Sequence, residues 1–150
     1  RDWSSDVCSS DLVALVHAGI AKQIALHGQP FQPPVAIISG GETTVTVRGD
    51  GKGGRDAEFL LGLTLALEGF GGISAIACDT DGIDGVETNA GAMMAADSFA
   101  RAQKAGVDLK GLFANNDAFS AFEALGDLVI TGPTRTNVND FRAILVPKRV

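Results

Sequence analysis

The apolar positions of this chain fall into two kinds of block, one with helical spacing and one continuous or alternating. The stretch "VALVHAGIAKQIALHG" brings Val13, Val16, Ile20, Ile24 and Leu26 close to one stripe, which predicts a helix. Gly28 is placed to end it, and Pro30, Pro33 and Pro34 make a stiff connector. "VAIISGGE" is a short buried strand running into glycines, and "TTVTVRG" alternates as a half-exposed strand should. Only "SGGE" separates the two, so the simplest pairing is an antiparallel hairpin. "GRDAEFLLGLTLALEGFGG" predicts a helix with Phe59, Leu60, Leu63 and Leu67 inward, and "ISAIACD" a buried strand. "TNAGAMMAADSFARAQKAG" and "DAFSAFEALG" predict two further helices, while "DLVITG" and "FRAILV" predict two further strands. Strands interleaved with helices give an α/β layered domain, a mixed β-sheet flanked by helices.

The first twelve residues, "RDWSSDVCSSDL", break this order: they are rich in Ser and Asp and show no amphipathic period. The string resembles a translated sequencing adapter, so the fold is expected to start at Val13, with Trp3 outside the core. Residues 1–12 are then set apart from a domain over 13–150. Leaving them out changes the net charge only from −6 to −4, with 11 basic and 15 acidic residues remaining. An acidic chain of this kind is not built for broad attraction to nucleic acid or anionic membrane, and it has no apolar run of transmembrane length. Cytoplasmic location is the expectation. Cys78 is the one cysteine after residue 12, which leaves no disulfide framework and no paired-cysteine metal motif.

The chemistry concentrates at glycine-containing loops after strands. Gly49, Gly51 and Gly54 give the spacing G-x-G-x-x-G, the fingerprint of a dinucleotide site. The preceding strand is amphipathic rather than buried, Asp50 and Asp56 put negative charge beside the expected pyrophosphate, and the next strand-end acid, Asp79, comes 25 residues after Gly54. The fingerprint therefore argues weakly for an NAD(P)-dependent reductase. A phosphate site of another kind fits better. Gly40 and Gly41, with Glu42 and Thr43, could cradle an anion, and Arg55 opens a helix whose N-terminal amides favour one. "CDTDGIDG" sets Asp79, Asp81 and Asp84 on a loop at a strand end, where carboxylates suit Mg²⁺ or a base for a hydroxyl proton. An EF-hand does not fit, since Ile83 and Ala90 fall at its fifth and twelfth positions counted from Asp79.

Taken together, "SGGETTVTVRG", "GKGGR", "DTDGIDG", "AGA" and "TGPTRTNVNDFRAILV" resemble the C-terminal MOFRL domain of the glycerate 2-kinase family, from about Val13 to Val150. The resemblance implies transfer of the γ-phosphoryl group of ATP to D-glycerate with Mg²⁺, in a cleft shared with a larger N-terminal domain of the same chain. It implies that the present chain is a truncated half-site, inactive alone. Relatives labelled hydroxypyruvate reductase keep that activity as the alternative, beside a non-catalytic anion-binding module. By the resemblance Arg55, Asp81 and Glu42 are catalytic. Gly40, Gly41, Thr43, Asp79, Asn137 and Asn139 bind substrate or nucleotide, and Asp79 and Asp81 hold the metal. After "GGR" many relatives have Asn, where this chain has Asp56.

Overall fold

The computed structural model describes residues 9–148. Helix α1 spans Ser10–His27 and ends, as its Gly28 predicts, in a left-handed cap. It starts ahead of the expected boundary at Val13. Ser10 is buried, its amide donates to the Thr44 carbonyl at 2.9 Å, and its hydroxyl donates to Thr43 Oγ1 at 2.8 Å. Trp3 lies outside the described residues. The expected stripe faces inward only in part: Ile24 is buried and Val13 packs against the core, whereas Val16, Ile20 and Leu26 are exposed with Leu12 and Leu15, and Ala14, Ala18 and Ala21 are buried instead. The small residues face inward because α1 packs closely on α2, Arg55–Leu67, where Ala14 lies over Gly62.

The remaining elements are β1 (Val35–Gly41), β2 (Ser74–Asp79), β3 (Gly91–Met94), α3 (Ser98–Ala105), α4 (Leu109–Ala114), α5 (Ala118–Leu125), β4 (Leu128–Val129) and β5 (Asp140–Val146). They form an α/β layered domain whose sheet runs β1-β5-β2-β3-β4. Every pairing in it is antiparallel, where a mixed sheet was expected. The expected hairpin does not form. β1 pairs with β5, about a hundred residues away, and "TTVTVRG" is loop apart from a single bridge between Thr44 and Ser9. The segment expected as one helix around "AGAMMAADSFARAQKAG" splits into β3 and α3, and α4 is an element the pattern did not announce.

Strand alternation sets one face of the sheet against the helices. In β5, Asp140, Arg142, Ile144 and Val146 are buried, and in β2 so are Ala75, Ala77 and Asp79. These meet Phe59, Leu60 and Leu63 of α2 in one continuous core, while Ile38, Met93, Phe141 and Leu145 on the alternate positions stay exposed. Two inward positions of β5 are thus charged rather than apolar. They lie at the sheet end where β1 and β2 stop and β5 begins.

Candidate functional site

The sheet register builds the site. Asp79 is the direct partner of Asp140, and Asp140 is the partner of Gly41, so two inward carboxylates stand side by side on the central strands. Like charges in that relation repel, and a cation is needed between them. Arg55, the first residue of α2, supplies it: Nε donates to Asp140 Oδ1 at 2.5 Å and Nη2 donates to Asp79 Oδ2 at 2.6 Å. Its third nitrogen, Nη1, faces the exposed carboxylate of Glu42 at 3.7 Å. Burial works against the Arg55 charge, but the bond to Asp140 and the charges of Asp140, Asp79 and Asp56 outweigh it, and the pKa lies above the usual arginine value.

A second arginine lies underneath. Arg142 is buried, with its guanidinium 4.9 Å from the Phe59 ring, and its Nη2 donates to Asp140 Oδ2 and to Thr43 Oγ1. The Thr43 amide and hydroxyl also donate to Asp140 Oδ2, at 3.2 and 3.3 Å. Asp56 is fully buried beside them, with neither carboxylate oxygen hydrogen-bonded and Oδ1 at 3.8 Å from Arg142 Nε. Asp56, Asp79 and Asp140 place oxygens within 4.8 Å of one another, a spacing that could hold a metal. Here the guanidinium of Arg55 already bonds two of the three, so arginine does the neutralising a metal would do.

The expected site residues largely converge, though several are used differently. Arg55, Glu42 and Asp79 touch directly, and the Asp81 amide donates to Asp79 Oδ1. Asp81 Oδ2 accepts from Asn137 Nδ2 at 3.3 Å, and the Asn137 side chain accepts the Asn139 amide. Thr80 ties this loop to the last one by donating to the Asn139 carbonyl. Gly40 and Gly41 are strand residues paired with Phe141 and Asp140, and the Thr43 amide is committed to Asp140. The anion cradle expected over Gly40, Gly41 and Thr43 is therefore not open at Thr43. The α2 N-terminus is not open either, because Asp84 accepts the amides of Asp56 and Ala57. For Mg²⁺ the fit differs between the two expected ligands. Both Asp79 oxygens already have donors, whereas Asp81 Oδ2 has only the long contact to exposed Asn137. Asp81 suits an ion that keeps waters and substrate oxygens. Asp140 and Arg142 are the site's unforeseen members: Asp140 closes the loop ahead of the expected strand "FRAILV", and Arg142 reads as an ordinary position within it.

The G-x-G-x-x-G loop has a structural use. The amides of Arg48 and Gly49 donate to Asn116 Oδ1, those of Asp50 and Gly51 to Asn115, and that of Lys52 to Asp117 Oδ1. Five consecutive amides, those of residues 48–52, are thus occupied by the α4–α5 turn and are not open to a pyrophosphate. The glycines allow that approach: a Cβ on Gly51 would lie 2.5 Å from Asp117 Cβ, and one on Gly54 would lie 2.1 Å from Asp84 Oδ1. Asn116 Nδ2 also donates to Glu58 Oε1 at 2.9 Å, which opposes the burial that pushes Glu58 up to about 7.

Residues 35–140 match the model of the MOFRL family. A D-glycerate 2-kinase from Thermotoga maritima is 41% identical over 123 residues, covering 82% of this chain and 30% of that protein. An Agrobacterium vitis protein named "Putative hydroxypyruvate reductase" is 54% identical over 133 residues, covering 87% of this chain and 30% of its own length. Among solved structures, a glycerate kinase from Thermotoga maritima superposes with a TM-score of 0.89 at 37% identity, covering 93% of this chain and 34% of that one. The chain thus spans about a third of the length of these relatives. The matched segment contains Glu42, Arg55, Asp79, Asp81 and Asp140, and the chain belongs to the MOFRL family.

Proposed function

We propose that this chain supplies one half of the active site of a glycerate 2-kinase, which transfers the γ-phosphoryl group of ATP to D-glycerate with Mg²⁺ in the cytoplasm. The observation that carries the reading is Arg55, held on two nitrogens by carboxylates at the meeting point of three loops, with Nη1 turned toward solvent-exposed Glu42. Phosphoryl transfer asks mainly for positioned charge. Arg55 Nη1 orients a phosphate oxygen or the glycerate carboxylate. Glu42, 64% exposed, is placed to accept the substrate hydroxyl proton. Glu42, Asp79, Asp81 and Asp140 outnumber Arg55 and Arg142, so a phosphate is drawn here only with its own cation, and Asp81 is the residue to hold that cation. Asp81 would hold Mg²⁺ there, and the ion would supply the positive charge that phosphoryl transfer needs.

The exposed stripe of Leu12, Leu15, Val16 and Ile20 on α1 supports a larger protein in which further polypeptide covers this face. Ser10 packs against Thr43 and Thr44, so the start of α1 lies beside the site. Turnover by the 150 residues alone is not expected. The occupied amides of residues 48–52 speak against a nicotinamide dinucleotide on that loop, and so against the reductase alternative. The test is a Mg²⁺ titration of the longer protein. Asp81→Asn is expected to raise the Mg²⁺ needed for half-maximal ATP consumption by about tenfold, as for loss of one anionic ligand. Turnover that survives removal of divalent ions by chelation would remove the kinase reading.

A further inference from the structure

We propose that Asp140 and Arg142 are positioning residues for Arg55: together they form a buried seat that fixes the guanidinium and leaves Nη1, which has only the 3.7 Å ion pair with exposed Glu42, to meet an incoming anionic oxygen. The consequence for turnover rests on the kinase reading above, whereas the seat itself does not.

Every rotation of Asp140 is blocked. Oδ1 accepts Arg55 Nε at 2.5 Å, and Oδ2 accepts Arg142 Nη2 together with the amide and hydroxyl of Thr43. The Thr43 hydroxyl is held in turn by Ser10 Oγ at 2.8 Å, which ties the seat to the start of α1. Arg142, with 2% of its side chain exposed and stacked over Phe59, cannot meet a ligand and acts through Asp140 and Thr43. Its charge is needed there. Asp79 and Asp140 are adjacent carboxylates, and a single Arg55 shared between them would be neutralised and drawn inward. With Arg142 beneath, the four groups balance as two cations and two anions. Arg55 can then sit 24% exposed, restrained on Nε and Nη2. An arginine ordered before its ligand arrives loses little further side-chain freedom on binding.

The experiment uses the ¹⁵N-labelled 150-residue chain and follows the Arg55 Nε–Hε signal, assigned by its disappearance in Arg55→Lys. Hε should exchange slowly with water in the parent chain. Asp140→Asn should speed that exchange by about tenfold or more, the equivalent of one charge-assisted hydrogen bond, while the backbone amides of β2 and β5 stay protected. Asp79→Asn, which removes the partner of Nη2, should leave Hε slow. An unchanged Hε rate in Asp140→Asn, with β2 and β5 protected, overturns the seat. If Asp140→Asn does not fold, Thr43→Val serves: faster Hε exchange supports the seat, and an unchanged rate overturns it. In the longer protein, Asp140→Asn is expected to raise the KM for the substrate whose anion Arg55 takes. A freed Arg55 with unchanged kinetics would leave the seat standing and count against the kinase reading.

Discussion

Arg55→Lys in the longer protein is expected to lower turnover with ATP and D-glycerate by about two orders of magnitude, the scale of losing a positioned transition-state contact. Lysine keeps the charge between Asp79 and Asp140 but cannot bond both carboxylates and still present a third nitrogen. The fold should therefore hold while the outward-facing donor is lost. Arg55→Ala is the poorer probe. It leaves the buried Asp79 carboxylate without its cation, and removing one partner of such a pair costs about 3 kcal/mol of stability. Steady-state kinetics together with a melting curve separate the two effects. A lysine variant of near-normal turnover would mean that Arg55 is a structural bridge and nothing more.

The second large effect is on stability and runs the other way. Asp56→Asn is expected to raise the Tm of this chain at pH 8 by several degrees, because a buried carboxyl that the fold favours protonated is replaced by a group with no proton to lose. Burial first, and then the charges of Asp84 and Asp140, push Asp56 up to about 8, with Arg142 and Arg55 opposing. Below about pH 4 the carboxyl is protonated folded and unfolded alike. Between there and about pH 8 the unfolded chain gives up the proton while the folded one keeps it, so stability falls across that window. Asparagine has no proton to lose and should be free of that decline. Glu58, at about 7, and Asp84, raised by burial to about 6, shift in the same sense but are common to both proteins. The parent-minus-variant difference therefore reports Asp56 together with its interaction with Asp84. Equal melting temperatures at pH 8, or a gap that does not close toward pH 4, would show that Asp56 is not the destabilising charge. Asp56 lies beneath the site, in the first turn of α2, so this position is expected to act through the core rather than on a nucleotide.

How far the sequence could be read follows from which interactions are local. α2, β2, α5 and β5 each carry an apolar period or run that survives folding, and each forms close to its expected span. "TTVTVRG" has an equally clear alternation, yet Asn116 and Asn115 capture the amides of the residues that end it. A contact across more than sixty residues overrides the local preference. In the same way β1 finds β5 rather than its neighbour in sequence, and "GAMM", the start of a segment whose alanines suggested a helix, is drawn into the sheet between β2 and β4. Glu42, Arg55, Asp79 and Asp81 were legible because charged residues flank glycines at the ends of apolar runs. Asp140 and Arg142 were not. Only the register of β5 beside Asp79 shows that their shared face is buried and charged.

The most direct test of the central claim is ³¹P NMR of the longer protein mixed with ATP, Mg²⁺ and D-glycerate, with NADH and hydroxypyruvate in a parallel sample. The expected result is a growing phosphoglycerate resonance as the ATP γ-phosphate signal disappears, dependent on Mg²⁺ and nearly absent in Arg55→Lys, with no NADH consumed. NADH oxidised by hydroxypyruvate, with the ATP signals unchanged in the first sample, would contradict it.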